Sequence, residues 1–100
     1  MNKRAKAYTE KIAKVVETFP LITKAAVVGP AAEDSFSFSE NLMLAIYTKP
    51  EAKTSIVCID LNRALGDNGI FNVDLYMMAD EDFYLEAHNL IDDGEVIFAR

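Results

Sequence analysis

The sequence predicts a mixed α/β fold of the α+β kind, one sheet with helices packed against it in the order α-β-β-α-β-α-β. Three observations carry that expectation. Apolar residues recur at helical spacing over residues 3–19, several short apolar runs stop at Gly or Pro, and further helical patterns separate those runs. One hundred residues are enough for one core and too few for two, so the chain is read as a single domain over residues 1–100.

Each element follows from its own pattern. In residues 3–19, Ala5, Tyr8, Ile12, Val15, Val16 and Phe19 fall on one helical face. Pro20 ends that helix, because proline lacks the amide hydrogen and clashes with the preceding turn. Residues 23–29 (TKAAVVG) form an apolar run stopped by Gly29-Pro30, which reads as a buried strand. Residues 30–40 are small and polar apart from Phe36 and Phe38. In residues 41–48, Leu42, Leu44 and Ile46 alternate with Asn41, Met43 and Ala45, as a strand requires, and Pro50 closes the run.

Residues 52–65 fit two patterns. Val57, Leu61, Ala64 and Leu65 suit a helix, whereas the β-branched run at Ile56, Val57 and Ile59 suits a strand. The helix is preferred, because Gly66-Asp67-Asn68-Gly69 supplies a C-terminal stop. Residues 70–78 (IFNVDLYMM) read as a third strand. Asp80 then caps a helix carrying Phe83, Tyr84, Ala87, Leu90 and Ile91, Gly94 ends it, and Glu95–Ala99 is a short last strand.

Composition excludes several function classes. No apolar run approaches the roughly 18–20 residues that span a bilayer, and the charged start of the chain is unlike a secretory signal. A single cysteine, Cys58, cannot form an internal disulfide, which fits a reducing cytoplasm. Charge is segregated: residues 1–50 balance to +2 and residues 51–100 to −8. Five basic residues (Lys3, Arg4, Lys6, Lys11, Lys14) lie on the first helix, but the overall charge of −6 opposes nucleic-acid binding. Neither Cys58 nor the lone His88 has companions at a metal-ligand or nucleophile spacing, and there is no Gly-rich phosphate loop.

The stretch Val27-Val28-Gly29-Pro30, followed after about ten residues by Asn41-Leu42-Met43-Leu44, carries a family resemblance. So do Val73-Asp74-Leu75 and the ending Ile91-Asp92-Asp93-Gly94-Glu95-Val96-Ile97-Phe98. The layout resembles the minimal nucleotidyltransferases, which have a polymerase-β-type palm. In that family the first strand ends in Gly-Ser, the second begins with an Asp-x-Asp pair that holds two divalent metals, and the third carries another carboxylate. The resemblance places Gly29, Pro30, Asn41, Met43 and Asp74 at those positions, so the frame is kept and the chemistry is missing. Mg²⁺ wants hard oxygen ligands. Asn41 offers a neutral carbonyl, Met43 a thioether suited to soft metals, and only Asp74 a carboxylate. A shifted alignment that uses Glu40 brings in Leu42 as its partner, so the pair is still lost. Pro30 has neither hydroxyl nor amide hydrogen for a phosphate, and Glu33 and Asp34 put two acids near its path.

What this implies is an inactive member of the family, with no catalytic residue, no cofactor, and no metal ligand beyond Asp74. Such domains pair with small helical partners of the HEPN type as antitoxin to toxin. The expected partner is therefore a protein, HEPN-like or a second copy in a homodimer, with Phe36 and Phe38 as interface candidates or as a lid on the core. Two other readings stay open. One is a nucleotide-binding protein or active transferase that uses Asp74 with Glu40 or Asn41 and Mg²⁺ or Mn²⁺. The other is an unrelated small acidic protein such as a charge-mimicking inhibitor, which a strand at residues 52–65 would favour.

Overall fold

The computed structural model describes residues 3–28, 41–78 and 94–100. Gly29, Pro30, Phe36, Phe38, His88 and the helix expected from Asp80 lie outside the described residues. Within them the order is α1 (Lys3–Glu17), β1 (Ile22–Val28), β2 (Leu42–Thr48), α2 (Thr54–Asp67), β3 (Val73–Met77) and β4 (Glu95–Ala99). Residues 52–65 thus resolve in favour of the helix, which ends at Asp67 within the expected stop at residues 66–69, with Asn68 as its C-cap. Gly69 follows with φ +75°, the left-handed turn that only glycine adopts without strain.

The four strands form one mixed sheet in the order β3-β2-β1-β4. β1 runs antiparallel to β2 and β4, while β2 and β3 are parallel and joined by α2. Pairing continues beyond the strand ends. Leu42 N–H donates to the Asn72 carbonyl at 2.8 Å, and Met78 N–H to the Ile46 carbonyl at 2.9 Å.

Alternation along the strands divides the sheet into two faces. Leu42, Leu44 and Ile46 point to the same side as Ala25, Val27 and Met77, where α1 and α2 close the main core with Ile12, Val16, Leu61 and Leu65. α1 packs on β1, β4 and α2, and α2 on β3. Thr9 belongs to the buried face of α1 although it is polar. Its hydroxyl donates to the Lys6 carbonyl at 2.9 Å, which satisfies it inside the helix. The opposite side of the sheet gathers Val28, Ala45 and Met78, with Met43, Tyr47 and Tyr76 packed against them. Of the three methionines among the described residues, Met77 joins the main core and Met43 and Met78 share this second face.

Candidate functional site

β2 and β3 begin at the same end of the sheet, which is also where the antiparallel β1 ends. Val28, the residue before Gly29, pairs with Met43, and Met43 pairs in turn with Asp74. This register brings together three of the positions that the sequence singled out, Asn41, Met43 and Asp74. Gly29, Pro30, Phe36 and Phe38 lie outside the described residues.

Parity sets which way these side chains face. Asn41 and Met43 are two apart, so they share the side of β2 opposite the main core, and Asp74 is flanked by the core-packed Val73 and Leu75. Asn41 and Asp74 are exposed and Met43 is half-buried. The Asn41 amide Nδ2 donates to both carboxylate oxygens of Asp74, at 3.2 Å to Oδ1 and 3.4 Å to Oδ2. A carboxylate is an acceptor and a carboxamide N–H a donor, so this pair is complementary as it stands. Two carboxylates in the same places would repel unless a cation or a proton lay between them.

Among the described residues, the donor set does not fit a divalent nucleotidyl-transfer metal. It consists of one carboxylate already engaged by an amide, one carboxamide turned nitrogen-first toward that carboxylate, and one thioether. Among the described residues, no group of three or more His, Cys, Asp or Glu side chains is placed to hold a metal ion. Sequence reading credited Asn41 with a residual carbonyl ligand. The structure uses its N–H group instead, a distinction that depends on the β2–β3 register and leaves no mark on the sequence.

Beside this end of the site the second face of the sheet turns aromatic and apolar. Tyr76 and Tyr47 pack with Met43, Ala45 and Met78, and the Lys24 ammonium lies 4.9 Å from the centre of the Tyr47 ring. Sequence periodicity had not singled out these tyrosines, though their place at alternate strand positions was the available signal.

A cavity of about 420 Å³ lies elsewhere, between α1 and α2, lined by Lys11, Lys14, Val15, Thr18, Ala64 and Asn68. Its polar groups serve helix ends. The Thr18 hydroxyl donates to the Val15 carbonyl at 2.6 Å, and the Asn68 amide to the Ala64 carbonyl at 2.7 Å. Lys14 in the last turn of α1 complements the negative end of the helix dipole. Both helices present their C-terminal halves to this cavity, which disfavours an anion there. Cys58 is half-buried in α2, where burial pushes its thiol pKa up from 9.0, away from the thiolate that a nucleophile needs. Among the described residues no helix is long and apolar enough to cross a membrane.

No protein-family model matches the chain, and no curated protein matches it in sequence. Solved structures do match it in fold. One is the toxin–antitoxin MntA–HpeT in a mutant with two Asp-to-Glu changes, with a TM-score of 0.72, 14% identity, and coverage of 92% of this chain and 73% of that one. A second is a tri-AMPylated Shewanella oneidensis HEPN toxin in complex with MNT antitoxin, with a TM-score of 0.69, 13% identity, and coverage of 96% and 73%. A third is a toxin–antitoxin with AMP-PNP, with a TM-score of 0.69, 15% identity, and coverage of 92% and 73%. At these identities the likeness is one of fold. The chain has a minimal-nucleotidyltransferase-like α+β fold, in which the described residues form a four-stranded mixed sheet with two helices on one face.

Proposed function

We infer that this protein is a catalytically inactive member of the nucleotidyltransferase-fold group that acts by binding another protein, in the manner of an antitoxin. The partner we assign is a small helical protein of the HEPN type. The observation that carries the inactive half of this reading is the hydrogen bond from Asn41 to both oxygens of Asp74. It fills, with a neutral donor, the place where the family's chemistry needs converging negative oxygens. The partner half rests on fold similarity to an MNT antitoxin in complex with a HEPN toxin. The −8 balance of residues 51–100 suits a partner with a basic surface, since opposite charge speeds encounter. The lone cysteine fits work in a reducing cytoplasm.

The competing reading is an active transferase that modifies its partner, and one similar structure contains a tri-AMPylated toxin. Co-expression with a growth-arresting HEPN-type toxin separates the two. If binding alone neutralises, the native chain and Asp74→Ala restore growth equally, and intact mass spectrometry finds the toxin unmodified. Growth restored only by the native chain, together with AMP-sized mass additions on the toxin, would replace this reading with the enzymatic one.

A further inference from the structure

α2 carries a second apolar stripe that the core does not use. Ile56 is 51% exposed and Ile59 58%, and Phe71, just past the helix, is 76% exposed. Positions 56, 59, 63 and 66 lie on one face at i, i+3, i+7 and i+10, opposite the buried Val57, Leu61 and Leu65. The Phe71 ring extends the stripe at its far end, with its Cε1 3.6 Å from where a Cβ on Gly66 would sit. The stripe therefore runs from Ile56 past Arg63 to Gly66 and Phe71. A single exposed isoleucine is ordinary, but two isoleucines and a phenylalanine exposed along one helix face call for a cover.

The charges beside the stripe say what covers it. Lys53, Asp60 and Asp67 lie along one flank of α2, with Arg63 next to them on the stripe. The helix starts with no acidic residue in its first turn, and its N-cap Lys53 makes no side-chain capping bond. It ends with no basic residue in its last turn and with Asp67 as its final residue. Both ends thus carry charge opposed to the helix dipole. An identical helix laid antiparallel corrects both ends at once, because it brings each Asp67 to the other's uncapped start.

We propose that this face is a symmetric seam on which α2 of a second copy of the chain packs antiparallel, about a two-fold axis passing between the levels of Ile59 and Arg63. In that register Ile56 of one copy faces Gly66 and the exposed Phe71 ring beside it on the other, an apolar contact. Arg63 lies across from Ile59 and reaches Asp60 of the second copy, while Asp67 meets Lys53. The two Asp60 side chains come together beside the axis, each with Arg63 of the other copy next to it, and the symmetry makes every contact twice. α2 is about 21 Å long, so the seam falls below a standard interface and the dimer is weak, with Kd on the order of tens of micromolar. The seam does not depend on whether the Asn41–Asp74 end is catalytic.

Sedimentation velocity on the full chain, from about 5 to about 500 µM to bracket the expected Kd, tests this. The native chain shifts from monomer to dimer across the series, and added salt weakens the shift. Ile59→Lys, at an exposed position, keeps the far-UV circular dichroism spectrum and weakens association by about 100-fold, because the symmetry places both copies of the residue at the seam. Asp60→Arg and Arg63→Asp each weaken it by about 10-fold, and the double exchange restores it to within about threefold. A chain that stays monomeric throughout, as it would if a different protein owned this face, overturns the proposal. So does a dimer indifferent to Ile59→Lys, or a charge exchange that fails to restore association.

Discussion

At the scale of single residues, the inactive reading rests on the Asn41–Asp74 contact. Asn41→Asp places two carboxylates where a donor and an acceptor now meet at 3.2 Å. Both groups are exposed, so the expected loss is modest, about 0.5–1 kcal/mol at neutral pH. Millimolar Mn²⁺ recovers it in thermal melts of the variant and leaves the melting temperature of the native chain unchanged. Thr48 is a different case. Its hydroxyl oxygen is buried and has no hydrogen-bond partner. Thr48→Val removes that orphan at nearly constant shape and is expected to stabilise by about 1 kcal/mol in urea unfolding; a loss of stability would show that the hydroxyl is satisfied in solution. Cys58 gives a pH prediction. Burial raises its pKa above the unfolded value of 9.0, so the fold favours the protonated thiol. That contribution is fully present below the unfolded pKa and is lost as pH rises through the folded one. A fall in stability above pH 9.0 that Cys58→Ala diminishes is the expected outcome.

At the scale of elements, α2 shows how sequence signals compete. The spacing of Val57, Leu61 and Leu65 announced the helix, and the β-branched Ile56 and Ile59 announced a strand. The helix forms because its three spaced positions bury against β3 and the main core. The two isoleucines are left on its outer face, where their strand preference has nothing to pair with. Two glycines close to its end respond in opposite directions. Gly66 has helical geometry, and an added Cβ meets only the Phe71 ring at an ordinary 3.6 Å, so Gly66→Ala is expected to stabilise by about 0.5–1 kcal/mol. Gly69 sits at φ +75°, so Gly69→Ala is expected to cost about 1 kcal/mol. Urea melts at concentrations too low for association measure both, and equal signs would contradict this account of the helix end.

At the scale of the whole molecule, the sheet was the most legible part. Leu42, Leu44 and Ile46 declared a strand by parity alone, and the turn residues around them marked its ends. Strand order and register were less accessible, because they join residues far apart in the chain. The bond between Asn41 and Asp74 spans 33 residues and exists only once β2 and β3 lie parallel. For the same reason the sequence named Asn41, Met43 and Asp74 but not the hydrogen bond between the first and the last. Phe71 was read as part of the third strand, which instead begins at Val73 and leaves the ring outside it. The fold is thus minimal-nucleotidyltransferase-like, and an exposed amide–carboxylate pair joins β2 and β3 at the end of the sheet where both start. The most direct test is a calorimetric titration of Mn²⁺–ATP into the native chain, into Asp74→Ala, and into a variant carrying both Asn41→Asp and Met43→Asp. The native chain and Asp74→Ala should give no saturable heat, and the double variant should recover metal-dependent binding. Saturable binding to the native chain that Asp74→Ala abolishes would show that a working nucleotide site survives, and would contradict the inactive-scaffold reading.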